Sequence, residues 1–455
     1  MEEQKKDSDE ELKEKARKIS VKEGSAYSVM EGFGLRNITP YALALGAKNT
    51  HIGFLSSIPQ LLGHLFQLHT IQVMKKTSRK KIAITGAIIQ ALMWLPLTGV
   101  GAYFFLFNGS SSIAAMLLII IYTILLLAGL FIGPAWNSWM KDIITKASGR
   151  YFGMRNRIIG FIALVSMLIA GIILDIFKGN NLFIGFVIIF SIAFISRMVS
   201  AFLFTKKYEP KLVYEHSYYF NFFQFLKKIH KNNFGRFTIY IAAMMLATTI
   251  ASPFFAVYML KELHFNYVTF TLIIIVSSLT NLVFMSMWGK FSDRYGNIKM
   301  IKICGFFVPF VPFLWLLSPF LVSYPLLLFF YLILIEAFSG AAWAGFNLSA
   351  SNFVYDTVTR QRMALCITYS NILHSAGALI GALLGGFVSS ASFITLGLTP
   401  LLFIFLLSGI ARLLVSSIFL SHLKEVKPVQ PFGLEEAKKK IFSLSPRRFL
   451  QYFRT

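Results

Sequence analysis

The stretch Ile113–Asn137 reads IAAMLLIIIYTILLLAGLFIGPAWN and contains no charged side chain. An α-helix rises about 1.5 Å per residue, so roughly 20 apolar residues cross the hydrocarbon core of a bilayer. Similar apolar runs recur along the whole chain. The chain is therefore predicted to be an all-α integral membrane protein.

The overall composition agrees with this prediction. Hydrophobic residues make up 56% of the chain and charged residues 14%, against about 25% charged residues in soluble globular proteins. The net charge of +24 comes from short basic segments between apolar runs, which orient helices, so no nucleic acid partner is expected. Two cysteines, Cys304 and Cys366, exclude a disulfide framework, and neither a metal site nor a cofactor is expected.

Apolar runs bounded by charged residues or by Gly, Pro and Asn predict twelve transmembrane helices. The predicted spans are 27–47, 51–74, 82–105, 113–137, 156–175, 182–205, 237–260, 266–289, 299–319, 324–347, 363–389 and 397–421. Of the 44 Lys and Arg residues, 38 fall in the two termini and in the loops and adjoining span ends on one side, 3 fall in the opposite loops, and 3 lie inside spans. The positive-inside rule therefore predicts that both termini are cytoplasmic, in a multi-pass protein of the cell membrane.

The two halves of the chain resemble each other. Arg197 lies near the end of the sixth span and Arg412 near the end of the twelfth, and the segment GPAW at 133–136 has a counterpart, GAAW, at 340–343. Such repeats indicate two pseudo-symmetric six-helix bundles. The depth of both arginines predicts that they snorkel to the membrane surface.

Five segments follow from this organisation. The predicted segments are a polar, solvated cytoplasmic N-terminal tail at 1–25, an N-terminal six-helix bundle at 26–205, a cytoplasmic linker at 206–236, a C-terminal six-helix bundle at 237–421, and a basic cytoplasmic C-terminal tail at 422–455. Within the linker, the stretch His216–Arg236 mixes aromatic residues with lysines. It predicts an amphipathic helix on the membrane surface, with its lysines toward the headgroups.

The loop after the eighth span, Gly289–Gly296, reads GKFSDRYG. It resembles the G-x-x-x-D-R-x-G signature of the major facilitator superfamily, and the twelve spans and long central loop extend that resemblance over nearly the whole chain. The resemblance implies a conformational latch formed by Gly289, Asp293, Arg294 and Gly296, in which Asp293 engages the start of the fifth span near 149–157. The alternative is an exposed turn with a surface Asp–Arg pair.

Two departures from the family pattern argue against a drug:proton antiporter. The corresponding first-half loop, MKKTSRKK at 74–81, is basic but lacks both the Asp and the Gly. The fourth span contains no arginine, which proton-coupled drug antiporters of the family usually have.

Charged side chains within spans are expensive and are candidates for function. Arg36 lies near the middle of the first span and Glu336 near the middle of the tenth. The resemblance implies that both spans line a central cavity, where Arg36 and Glu336 pair or flank a solute, and where Glu336 carries a proton. The alternatives are a structural ion pair, or a protonated Glu336 within a helix interface.

Further polar side chains extend the predicted substrate or proton pathway. Glu31 and Arg36 are five positions apart, which places them about 140° apart around a helix. They are therefore expected not to pair. Gln60 and His64 share one face of the second span, and Asn371 and His374 share one face of the eleventh. These four either line the pathway or form hydrogen bonds between helices. Residues 37–40, which include Asn37 and Pro40, indicate an irregular first span.

The sequence therefore predicts a monomeric secondary transporter that moves a small solute across the bilayer by alternating access, with a proton as the favoured coupling ion. The central arginine favours a solute with a carboxylate or a phosphate. No catalytic cluster or phosphate-binding loop is present in the sequence, so an enzyme is not expected. The alternative is a non-transporting membrane scaffold or sensor on the same fold.

Overall fold

A computed structural model describes residues 2–144, 148–179, 181–210, 220–390 and 397–430. This part of the chain is helical and contains no β-strand. The α-helices are α1 (Glu2–Phe33), α2 (Ile38–Ala44), α3 (Asn49–Met74), α4 (Arg79–Leu92), α5 (Trp94–Phe105), α6 (Ser111–Ile143), α7 (Ser148–Ile176), α8 (Leu182–Lys206), α9 (Phe222–Lys228), α10 (Asn233–Thr249), α11 (Phe254–Val257), α12 (Tyr267–Tyr295), α13 (Asn297–Phe307), α14 (Phe310–Trp315), α15 (Pro325–Thr357), α16 (Arg360–Val388) and α17 (Pro400–Phe419). Parts of the predicted linker (211–219) and C-terminal tail (431–455) lie outside the described residues.

Ten helical segments of the described chain are long and apolar enough to cross a bilayer. They coincide with the third to the twelfth of the predicted spans, which confirms an all-helical membrane fold. The first predicted span, 27–47, is divided between α1 and α2, and the second, 51–74, lies in the 26-residue helix α3. The count of twelve spans and the cytoplasmic placement of the termini stay predictions.

The chain divides into two compact units. Unit 1 contains residues 1–216, 248–272 and 371–404, and unit 2 contains residues 217–247, 273–370 and 405–455. Helices α10, α12, α16 and α17 therefore contribute residues to both units. The predicted division into two six-helix bundles at the linker stays a prediction.

The polar N-terminal segment is helical and forms the start of α1, but it is not fully solvated, because α1 packs against α7 and α8 in unit 1. Ser20 is fully buried. The Tyr151 hydroxyl donates to the carbonyl oxygen of Arg17 at 2.9 Å, and Arg155 Nε donates to that of Ser20 at 3.2 Å. The first turns of α1 are therefore fixed to the start of α7.

A buried arginine joins three parts of unit 1. Arg79 is fully buried at the start of α4, and its guanidinium donates to Asp142 at 2.5 Å near the end of α6. The carboxylate of Glu209, which follows α8, accepts from the Arg79 backbone N–H at 2.8 Å and from its Nε at 3.3 Å. Glu209 therefore caps the N-terminus of α4, where a negative charge is favourable.

Unit 2 repeats this arrangement. Glu425, which follows α17, accepts from the backbone N–H of Ile298 at 2.8 Å and so caps α13. Asp356, near the end of α15, accepts from the side chain of Asn297 at 2.8 Å. The internal repeat seen in the sequence thus extends to a pair of acidic caps, Glu209 and Glu425, that sequence analysis missed. Their signal is an acidic residue shortly after the sixth and twelfth spans.

Arg197 and Arg412 do not snorkel to the membrane surface, so that prediction is wrong. Each is 2% exposed. Arg197 donates to Ser200 Oγ at 2.8 Å and lies 4.9 Å from the centre of the Tyr27 ring, while Arg412 Nε donates to Ser408 Oγ at 3.1 Å. A nearby serine in each helix gives the guanidinium a polar partner inside the protein, which removes the need to reach water.

Lys207, which directly follows α8, is fully buried among aromatic side chains. Its Nζ lies 2.9 Å from the sulfur of Met140 and 4.5 Å from the centre of the Trp139 ring. Burial lowers the pKa of Lys207 to about 8. The folded protein therefore holds this proton less tightly than an unfolded chain does, for which the lysine pKa is about 10.4.

Replacing Lys207 with methionine is expected to stabilise the protein at pH 7, by up to about 3 kcal/mol, because the buried charge is removed. Between about pH 8 and pH 10 the unfolded native chain binds more protons than the folded one, so native stability rises with pH. The thermal midpoint of Lys207→Met should therefore exceed that of the native protein at pH 7, and the gap should narrow at pH 9. A lower midpoint for the variant at both pH values would contradict this account.

Candidate functional site

Arg36 lies in a break within the first predicted span. Helix α1 ends at Phe33 and is followed by a 3-10 turn, Leu35–Asn37. The side-chain amide of Asn37 donates to the carbonyl oxygens of Gly32 at 3.0 Å and Phe33 at 3.1 Å. It therefore satisfies carbonyls that the end of α1 leaves without helical partners. The expectation of an irregular first span is confirmed.

Glu31 and Arg36 form a salt bridge, so the prediction that they do not pair is wrong. Arg36 Nη2 lies 2.7 Å, and Nε 3.2 Å, from Glu31 Oε1. The helical angle of about 100° per residue does not apply, because the helix ends between the two residues. The Arg36 side chain is 50% exposed. Because a charged group exposed to lipid is costly, the exposed face of Arg36 is expected to meet water.

Glu31 is the last of three polar side chains spaced four residues apart on α1. Glu23 and Tyr27 precede it on nearly the same face. The Glu23 carboxylate lies 3.8 Å from Arg155, and the Tyr27 ring lies beneath the guanidinium of Arg197. Unit 1 thus contains a series of polar contacts along α1 that ends at the partly exposed pair of Glu31 and its arginine.

Glu336 lies on α15 in unit 2, where that helix meets α12. Its carboxyl interacts with the Ser277 hydroxyl on α12 and with the Trp315 indole at the end of α14. Gly340, one turn along α15, lies so close to the Ser277 backbone that any side chain there would collide with it. Within the described residues, no basic side chain forms a salt bridge with Glu336. The acid therefore has polar but uncharged partners.

His64 forms a hydrogen bond between helices. Its Nδ1 lies 2.6 Å from Ser375 Oγ on α16. The Ser375 hydroxyl also lies 2.7 Å from the carbonyl oxygen of Asn371, to which it can donate. His374 Nε2 is buried without a hydrogen-bond partner among the described residues, and Gln60 is exposed. His64 thus joins α3 to α16, and the pathway role of all four residues stays a prediction.

Asp175 caps α12 within unit 1. Its two carboxylate oxygens accept from the backbone N–H groups of Tyr267 and Val268, each at 2.8 Å. One turn earlier on α7, a side chain added at Gly171 would lie 2.9 Å from the Thr271 hydroxyl. Helices α7 and α12 therefore touch closely at the end that the charge distribution predicts to face outward.

The glycines of the signature loop differ in what they contribute. Gly296 has a φ of +98°, which favours glycine, and a side chain there would also meet the carboxylate of Glu425. At Gly289, an added Cβ would meet Leu348 at 3.6 Å, an ordinary contact. The turn therefore requires Gly296, while packing in this structure does not require Gly289.

The charged residues of the signature loop also differ. Arg294 Nε donates to Gln430 Oε1 at 2.6 Å, which holds the segment after α17 against the end of α12. Asp293 is exposed, and its carboxylate has no hydrogen-bond or ion-pair partner in the part of the chain that the structure describes. Its engagement with the start of the fifth span stays a prediction.

A cavity of about 350 Å³ lies between α12, α13 and α15 in unit 2. Its lining includes Phe284, Trp288, Cys304 and Phe307. Neither Glu336 nor any other charged side chain belongs to this lining. The cavity is therefore an apolar space separate from the polar contacts of the candidate site.

Replacing Asp175 with alanine is expected to weaken the contact between α7 and α12, because two backbone N–H groups lose their acceptor. The loss should amount to roughly 1–2 kcal/mol, measured as a lower thermal midpoint. Asp175→Asn is the matched control, since an asparagine oxygen still caps a helix N-terminus. A midpoint of the alanine variant equal to that of the native protein would show that the cap contributes nothing.

Comparison with known families gives a match over nearly the whole chain. The family model described as the Major Facilitator Superfamily matches residues 26–382 and 237–454. No curated protein sequence matches the chain. The family match therefore rests on the pattern of the whole sequence and agrees with the resemblance seen at the signature loop.

Solved structures with the same fold are transporters. A point variant of the nucleoside transporter NupG aligns with a TM-score of 0.68 at 15% identity, covering 90% of this chain and 100% of that one. A bacterial homologue of the iron transporter ferroportin, in an inward-facing state, gives 0.67 at 12%, covering 90% and 98%. A bacterial homologue of the human lysosomal transporter Spinster gives 0.62 at 13%, covering 92% and 99%. At these identities the likeness shows the fold alone.

Proposed function

The chain belongs to the major facilitator superfamily of secondary transporters, and we propose that it moves a small anionic solute by alternating access, with Glu336 taking up and releasing the coupling proton. The transporter is a multi-pass membrane protein and not an enzyme. The related structures are named for different cargoes, among them nucleosides and iron. The solute class must therefore be argued from the residues of this chain.

The proposal rests on the different partners of Arg36 and Glu336. Arg36 is already neutralised by Glu31 in its own unit, whereas Glu336 interacts with Ser277 and Trp315, which are uncharged. Glu336 is half-buried, and an ionised carboxylate inside a membrane protein is expensive without a cation. Gaining and losing a proton is the way for Glu336 to change its charge during a transport cycle.

Arg36 supports the choice of an anionic solute. Its guanidinium is half exposed, and two of its nitrogens bind a single carboxylate oxygen of Glu31. A guanidinium has five N–H donors, so a solute carboxylate or phosphate can bind the donors that remain. The Glu31 carboxylate holds the side chain in position for that contact.

The movement between access states is assigned to two acidic residues. Asp175 caps α12 at the predicted outer end, and breaking this cap accompanies opening toward the outside. Asp293 has no partner in the described chain, and we assign it to a latch that forms at the predicted cytoplasmic end when the outer end opens. Each carboxylate favours a helix N-terminus for the same electrostatic reason.

Binding is tested first, with a panel of carboxylates, organic phosphates, nucleosides and amino acids. A ligand that binds only the folded protein raises the thermal midpoint. A hit is expected among the anions. Arg36→Ala should abolish it, while Arg236→Ala, at an exposed arginine outside the site and the latch, should retain it. A hit retained in Arg36→Ala would remove the arginine from the site. The absence of any hit or flux would favour the scaffold.

Coupling is tested by uptake of the identified solute into proteoliposomes with an imposed pH gradient. One proton per solute and a gradient of one pH unit support about tenfold accumulation. Glu336→Gln should lose this accumulation, because glutamine cannot exchange a proton, yet should still exchange labelled for unlabelled solute. Glu262→Gln is the matched control in the same half of the chain. Undiminished accumulation by Glu336→Gln would overturn the assignment.

A further inference from the structure

Helix α9 and the 3-10 turn that follows it form a basic surface with an exposed aromatic ring. Phe223 is 74% exposed. Lys227, Lys228 and Lys231 are exposed, and none forms a salt bridge within the described residues. The sequence contains no acidic residue between His216 and Lys261. This linker surface, Phe222–Lys231, therefore carries positive charge without internal compensation.

The opposite side of α9 is anchored to unit 2. The Phe225 ring is buried and lies 5.6 Å from the ring of Tyr369 on α16, measured between centroids. The Tyr369 hydroxyl donates to the carbonyl oxygen of Phe220 at 2.8 Å. Asn221 and Gln224 form a reciprocal capping box, with N–H···O distances of 2.8 and 3.1 Å. The orientation of the linker surface is thus fixed by contacts on its inner side.

The linker surface lies next to a helix that is predicted to cross the membrane. Helix α10 begins at Asn233, only a few residues after α9, and belongs to a segment apolar enough to cross the bilayer. The linker surface therefore lies at the boundary of the membrane, on the side predicted to be cytoplasmic. Anionic headgroups of that leaflet attract lysines, and an exposed aromatic ring adds apolar contact below them.

We propose that the linker surface binds the anionic headgroup layer of the cytoplasmic leaflet, with its three lysines on lipid phosphates and Phe223 inserted among the upper acyl groups. This binding anchors the chain between the two predicted bundles to the membrane. It is independent of the proposed solute and proton sites. Each lysine near such a surface is expected to strengthen the contact by roughly fivefold, so the three together contribute about 100-fold.

The test uses the full-length protein in nanodiscs of phosphatidylcholine alone or with phosphatidylglycerol, and measures amide hydrogen exchange in segment 220–232. Phosphatidylglycerol should slow exchange in the native protein, and the triple change Lys227→Gln, Lys228→Gln and Lys231→Gln should abolish that difference. A matched triple change on α1, at three exposed positions between acidic residues, should preserve it. Those control changes are Lys15→Gln, Lys18→Gln and Lys22→Gln.

Two further arms distinguish insertion into the lipid layer from binding of free phosphate. Phe223→Ser should reduce the protection in phosphatidylglycerol while leaving the thermal midpoint unchanged, since this side chain is exposed. Inorganic phosphate added to phosphatidylcholine nanodiscs should give no protection. Equal exchange of the native protein in both lipids would overturn the proposal, and so would protection by inorganic phosphate equal to that by phosphatidylglycerol.

Discussion

A bilayer offers no hydrogen-bond partner to the backbone, and this constraint shapes the whole chain. Long helices satisfy their own N–H and C=O groups, and the exceptions show how an irregular segment is tolerated. Where α1 ends at Phe33, the side-chain amide of Asn37 donates to two released carbonyls. Acidic side chains bind backbone N–H groups at the start of three helices: Glu209 at α4, Asp175 at α12 and Glu425 at α13. Polar side chains at helix breaks and helix ends therefore bind the backbone groups that the helices leave without partners.

The same low dielectric governs the charges. In unit 1, Arg36 forms a salt bridge with the carboxylate of Glu31. Glu336 in unit 2 has only neutral partners. A paired charge can serve as a fixed anchor for a solute, whereas an unpaired acid is stable when it carries a proton. This difference is the physical basis for separating the solute role from the proton role.

The extent of the apolar runs was enough to predict ten of the spans and the membrane fold, because the length and hydropathy of a segment can be read directly from the sequence. Side-chain geometry was less accessible. The pairing of Glu31 with Arg36 depends on a helix end between them, which a helical angle ignores. The depth of Arg197 and Arg412 was predicted, but their inward direction depends on a serine on the same helix. The caps at Glu209 and Glu425 join residues more than a hundred positions apart, so an acidic residue after a span does not by itself identify the helix that it caps.

The central claim is that Glu336 exchanges a proton within the membrane protein. The most direct measurement is the transient current that follows a rapid pH jump on proteoliposomes adsorbed to a solid-supported membrane, with no solute present. A charge displacement is expected in the native protein and in Glu262→Gln, and its loss is expected in Glu336→Gln. The same displacement in Glu336→Gln as in the native protein would contradict the account, because the proton would then bind elsewhere.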